Sequence, residues 1–217
     1  MRWLGVALPL LASHTAGCAD AAGRFQAFEE RRAELAGDGG AGSTGGGSGG
    51  GECTPPAPGI VHGPALLALE TATTPGVAIL FQGELSTPEL SGSTAVEFRY
   101  RALDASDRTT LVGDELVVGP YPIGDDGSFD APTEKSTLPG SANALLPGVP
   151  ITSELTLHGT ICGVADFYCG TVTGTVYSPI QANTTGNFGI TLLIEGEPIP
   201  QRPRYGCDPD ALAPALP

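Results

Sequence analysis

Residues 37–51 read GDGGAGSTGGGSGGG, fifteen positions without one large apolar side chain. Such a stretch has maximal backbone freedom and nothing to bury, so it behaves as a random-coil tether and splits the chain in two. Whatever packs must lie on one side of it. The 36 residues before it are too few for a core of their own, which leaves a single folded domain after it.

The N-terminal side reads as an export signal. Arg2 precedes an apolar run over 3–12, about the length of a signal-peptide core and too short for a bilayer span of ~20 residues. Thr15, Ala16, Gly17 and Cys18 then stand where small residues mark cleavage. They resemble the bacterial lipobox, in which the cysteine is diacylated and becomes the new N-terminus; Thr15 replaces the leucine usual there. The expected plan is a signal peptide over 1–17, a lipid on Cys18, an anchored segment over 18–36, and a tether over 37–52. A domain over 53–207 and a disordered tail over 208–217 complete it. Phe25, Phe28 and Leu35 at helical spacing, with Glu29 and Arg32 three apart, suggest a short helix in the anchored segment.

The formal charge is -14, and from Cys53 onward six Lys/Arg face eighteen Asp/Glu, so the acidity belongs to the domain. That balance opposes the counterion release that drives binding to phosphate backbones and excludes nucleic acid as a partner. It disfavours anionic headgroups equally, so contact with a membrane would run through the lipid on Cys18. Setting Cys18 aside for lipid leaves Cys53, Cys162, Cys169 and Cys207, an even number suited to two disulfides in an oxidising compartment.

From residue 53 the chain alternates short apolar runs with Gly/Pro/Asp turns. Residues 95–103 (AVEFRYRAL) set Val96, Phe98 and Tyr100 on one face and Glu97, Arg99 and Arg101 on the other. Further strands are expected over 66–71, 77–85, 111–118, 128–131, 151–162, 169–177 and 188–195. About eight short strands without a second helical period predict an all-β fold, an antiparallel two-sheet β-sandwich of Ig-like or related kind, with a β-barrel as the alternative. The Pro-rich stretch 198–203 cannot join a ladder and should be extended coil or an edge.

In the hairpin over 151–180, placing Cys162 opposite Cys169 sets Thr160 against Thr171, His158 against Thr173, Thr156 against Thr175 and Glu154 against Tyr177. The other face pairs Gly159 with Val172, Leu157 with Gly174 and Ile161 with Gly170, glycines beneath branched side chains. A Cys162–Cys169 bond would pin that hairpin, and Cys53 with Cys207 would close the whole domain. No C-x-x-C occurs, so a zinc site is the inferior reading.

The segments ANALLPG, LTLHGTICG, FYCGTVTGTVYSPI and TTGNFG, with DDGSFD before them, resemble a C-terminal block of uncharacterised lipoproteins of myxobacteria and their relatives. The resemblance covers about half the domain. It implies an envelope location and carries no activity. Separately, the expected address is that of a membrane-anchored lipoprotein at the outer membrane or cell surface rather than a secreted protein.

Site chemistry is sparse. The tether satisfies G-x-G-x-x-G and G-x-S-x-G by composition, with no strand before it or helix after. Asp125, Asp126 and Asp130 hold the carboxylates of a calcium loop without its alternate spacing. A turn with Gly127 at positive φ accounts for them, and a weak Ca²⁺ site helped by Glu134 is the alternative. His62 reads as a loop residue, and His158 as a solvated histidine among threonines. Asp114 and Glu115 should face apart along one strand, Asp104 and Asp107 should form turns, and Asn183 should be a turn residue within a formal sequon. Phe98, Tyr100, Tyr177 and Phe188 should pack in the core or across strands. No cofactor is expected. The reading is a non-catalytic envelope lipoprotein module, structural or binding a protein or polysaccharide; a small hydrolase or a calcium-stabilised adhesion domain is the alternative.

Overall fold

The computed structural model describes residues 53–71 and 76–215. The expected signal peptide, Cys18, the short helix expected within 18–36 and the tether lie outside the described residues. Ten strands follow in order: β1 (His62–Thr71), β2 (Ala78–Ser86), β3 (Glu89–Leu90), β4 (Ser93–Leu103), β5 (Leu111–Pro122), β6 (Ser128–Pro132), β7 (Ser136–Leu138), β8 (Ile151–Thr160), β9 (Phe167–Ser178) and β10 (Ala182–Leu192). All eight expected strands are present. The two additions, β3 and β7, are too short to leave a period in the sequence. One 3₁₀ turn, Gly140–Ala142, follows β7.

Every pairing is antiparallel, and the strands form one sheet ordered β3-β4-β2-β1-β10-β9-β8-β6, with β5 also on β4 and β7 also on β8. The two separate layers of a sandwich are therefore not seen. The sheet curls into a half-barrel, which fits the barrel alternative. Its two ends meet without pairing: the Tyr121 hydroxyl on β5 donates to the Pro132 carbonyl on β6 at 2.8 Å. At the other end of this seam the Ala105 N–H donates to the Ser141 carbonyl at 2.8 Å.

The concave side holds the main core. On β4, Val96, Phe98, Tyr100 and Ala102 point inward, as the alternation requires. The Phe98 ring lies 5.9 Å from Phe129 of β6, and Phe129 lies 6.4 Å from Phe188 of β10, so three aromatics join strands from both ends of the sheet. Gly159 and Gly170 make room for them: a Cβ on either would run into the Phe188 ring, and one on Gly159 into Phe129 as well.

β1 and β2 break the alternation, since Leu66–Leu69 and Ala78–Phe81 are buried throughout. A continuous apolar run needs cover on both faces. Leu67, Leu69, Ile79 and Phe81 face the main core, while Leu66, Ala68, Ala78, Leu80 and Leu103 form a second cluster on the convex side. Its cover is the C-terminal segment, which brings Leu193, Ile199, Tyr205 and Ala213 onto it. Residues 208–215, expected to be disordered, instead fold back in a strap. Arg204 bridges Leu212, the Ala213 N–H donates to the Pro203 carbonyl at 2.8 Å, and Arg108 donates to the Pro214 carbonyl at 2.7 Å. Side-chain burial on an existing apolar strip replaces the periodicity that the strap lacks.

The disulfides are Cys53–Cys162 and Cys169–Cys207, each with Cα atoms 5.2 Å apart, so all four cysteines are bonded but not in the expected pairs. The β8–β9 register explains the change. Thr160 sits opposite Cys169 and His158 opposite Thr171, two residues from the expected alignment. Because side chains repeat every two residues, that slip keeps each residue on its expected face and changes only its partners. Cys162 lies beyond the ladder, where the Gly163 N–H donates to the Thr54 carbonyl and so holds it beside Cys53. Cys169 faces outward beside Gly189, whose missing side chain leaves space that the Arg204 carbonyl occupies. The strap thereby delivers Cys207 to Cys169. Two disulfides place the domain in an oxidising, non-cytoplasmic setting. Among the described residues no helix is long and apolar enough to cross a membrane.

Asp104 and Asp107 form the expected turn between β4 and β5. Asp107 accepts from the N–H groups of Thr109 and Thr110, at 2.8 and 2.9 Å, and from the Thr110 hydroxyl at 2.6 Å. Led by the Thr110 hydroxyl, these donors lower its pKa to about 2. A folded pKa below the unfolded ~3.9 means that the ordering is complete above that value and is lost as pH falls through about 2. The Thr109 and Thr110 amide resonances should titrate with a midpoint near that value, and Asp107→Asn should abolish the step.

Candidate functional site

The convex faces of β8, β9 and β10 carry hydroxyls and amides where the second apolar cluster ends. Alternation sends Val172, Phe188 and Leu157 inward and leaves Thr171, Thr173, Thr175, Asn183, Thr185 and Asn187 outward. Register arranges them in ranks. Thr156, Thr173 and Thr185 lie side by side across three strands, and His158, Thr171 and Asn187 form the next rank. Strand spacing of ~4.8 Å and a repeat of ~6.7 Å along each strand set the grid. Asn183 is therefore a strand residue opposite Thr175, whose hydroxyl donates to it at 3.3 Å, and not the turn residue expected.

One cluster on this face carries chemistry. His158 Nδ1 lies 2.6 Å from Asp130 Oδ1, and His158 Nε2 lies 2.9 Å from Thr173 Oγ1. A carboxylate can only accept, so Nδ1 carries the proton toward Asp130. In the neutral ring Nε2 is then the acceptor and the Thr173 hydroxyl donates to it. This acid–base–hydroxyl order is the one by which a nucleophile is activated. Its surroundings are open to solvent. The Asp130 side chain is 75% exposed and that of His158 38%. β9 is paired on both edges, so its backbone N–H groups are committed to ladders rather than aimed at a developing oxyanion.

The structure separates the three calcium candidates. Asp126 accepts from the Ser128 N–H and hydroxyl, at 3.0 and 2.6 Å, and its carboxyl pKa is lowered chiefly by that hydroxyl. Asp130 turns to His158, while Asp125 is exposed in the turn beside Gly127, whose φ is +76°. Among the described residues no three His, Cys, Asp or Glu side chains converge in a way that could hold a metal ion.

Two depressions lie elsewhere. A shallow one of about 420 Å³ is lined by His62, Pro64, Glu84, Arg99 and Glu115. His62 opens β1 rather than sitting in a loop, with Nδ1 3.2 Å from Glu84 Oε1. A second of about 170 Å³ occupies the seam between β5 and β7 and includes Asp114, so Asp114 and Glu115 do face apart. Neither is lined by Asp130, His158 or Thr173. Phe98, Tyr100 and Phe188 are core residues as expected. Tyr177 is exposed, donates to Glu154 Oε2 at 3.1 Å, and lies 4.0 Å beneath the Lys135 ammonium; the bond to Glu154 raises its pKa.

His158 and Asp130 both drew notice in the sequence, but for separate reasons. The β6–β8 pairing that sets them opposite each other leaves no trace in either strand alone.

No family model, no curated protein and no solved structure matches the chain.

Proposed function

We propose that this chain is a non-catalytic lipoprotein module of the cell envelope, held by a lipid on Cys18 and a flexible tether, whose convex threonine and asparagine face binds a neutral polysaccharide. The observation that carries the binding reading is that face itself. A domain of net charge -12 places here three strands of hydroxyls and amides, with Glu154 and Asp130 at its margin. The Thr156 and Thr185 hydroxyls make no hydrogen bond within the described residues, so they are available to a ligand. Polyhydroxyl chains match such a surface in hydrogen bonding, and their lack of charge avoids the repulsion that an acidic polymer would meet. The fold is best read as a barrel with an open seam between β5 and β7.

Co-sedimentation with an insoluble neutral glucan tests the binding. Replacing Thr171 and Thr185 together by valine should weaken retention about tenfold, roughly the 1.4 kcal/mol expected for two modest hydrogen bonds. Unchanged retention, or equal retention on an anionic polymer, would sink the reading. Intact-mass analysis of the membrane-extracted protein tests the anchor separately, through acyl chains on Cys18.

A small hydrolase is the second reading, favoured by one observation, the Asp130–His158–Thr173 order. It requires sustained ester turnover.

A further inference from the structure

We propose that Thr173 is an acyl-acceptor site: its hydroxyl, activated by His158 with Asp130 behind it, takes one acyl group from an activated ester or thioester and keeps it. The inference goes beyond the binding reading and stands without it.

Three features of the geometry support a reactive hydroxyl. Asp130 fixes the ring and its tautomer through the 2.6 Å contact to Nδ1, which leaves the Nε2 lone pair directed at Thr173 Oγ1 at 2.9 Å. His158 stands directly opposite Thr171, yet it bonds the diagonal neighbour Thr173, so one hydroxyl is singled out from a rank of similar ones. Thr156 and Thr185 flank Thr173 in register, and their unpartnered hydroxyls can donate to a carbonyl oxygen as it gains charge.

The step balances without a further reagent. Thr173 Oγ attacks the acyl carbon, the bond from that carbon to the donor's oxygen or sulfur breaks, and an ester on Thr173 forms. The hydroxyl proton passes to His158 Nε2 and then to the departing alkoxide or thiolate. Deacylation would need a water held against the ester and His158, and this solvent-open strand surface encloses no place for one, so the ester should accumulate rather than turn over.

The probe is p-nitrophenyl acetate on the oxidised full chain, with the acetylated residue located by peptide mass and its ester nature shown by hydroxylamine lability. Thr173 should be acetylated at least about ten times faster than Thr171 or Thr185, with up to one equivalent bound there. His158→Gln should slow it by roughly 10²-fold, within the range of general-base contributions. Asp130→Asn should slow it too and shift the imidazole nitrogen resonances toward the other tautomer, a signature that a purely structural role would not give. Val117→Ala, at an exposed position on β5, should leave the rate unchanged.

Acetyl groups spread evenly over exposed threonines, or found only on Lys135 and tyrosines, would overturn the proposal; the comparison within wild type needs no variant to fold. A Thr173 ester that forms and then hydrolyses with continuous p-nitrophenol release would confirm the nucleophile, overturn the retention of the acyl group, and replace the non-catalytic reading with the hydrolase.

Discussion

Cys53→Ser combined with Cys162→Ser is expected to lower the unfolding free energy by about 5 kcal/mol, because that bond closes a loop of sequence separation 109. The corresponding cost for Cys169 and Cys207, separated by 38 residues, is about 4 kcal/mol in the same chain-entropy account. Domains of this size are stable by about 5–15 kcal/mol, so the first double variant should be largely unfolded at 37 °C or shift its urea midpoint by more than 1 M. The effect has a local part as well. The Cys53 sulfur packs on Gly127, and the Ile161 N–H donates to the Gly127 carbonyl at 2.9 Å, so the bond also seals the turn into β6. A midpoint change worth less than ~1 kcal/mol would show that the unfolded chain gains little freedom from cutting the bond.

Phe188→Ala should cost about 3–5 kcal/mol, toward the upper end of that range. The ring is fully buried between Phe129 and the backbone of β8 and β9. The ring fills the space beside Gly159 and Gly170, which have no side chains to lean into the vacated space. A site that cannot collapse keeps its cavity, and the residual cavity sets the larger part of the cost. Val164→Ala, at a 41% exposed position, is the control and should stay within about 0.5 kcal/mol. Equal effects at the two positions would mean that the curled sheet does not enclose the core described here.

The strands were legible because most of them obey one rule, a two-residue alternation that 96–102 displays without interruption. β10 shows its limit: it begins at Ala182 rather than near Phe188, since ANTTGN presents a single buried side chain, Thr184, and otherwise resembles a turn. The strap was hidden for a related reason. Residues 193–215 have no period, yet the unbroken runs LLAL and AILF in β1 and β2 called for cover on a second face, and that cover had to come from somewhere. Faces in the 151–180 hairpin were readable and partners were not, because a shift of two residues leaves the hydrophobic pattern unchanged. The Asp130–His158–Thr173 cluster depends on such partners and could be assembled only in space.

Of the four cysteines from residue 53 onward, the bonds Cys53–Cys162 and Cys169–Cys207 join first to second and third to fourth, with neither loop inside the other. An oxidant that meets these four thiols in order of their emergence, N-terminus first, links the correct pairs at each encounter. Passage of this domain across a membrane therefore calls for a catalyst that makes sulfur–sulfur bonds, and gives no work to one that reshuffles them.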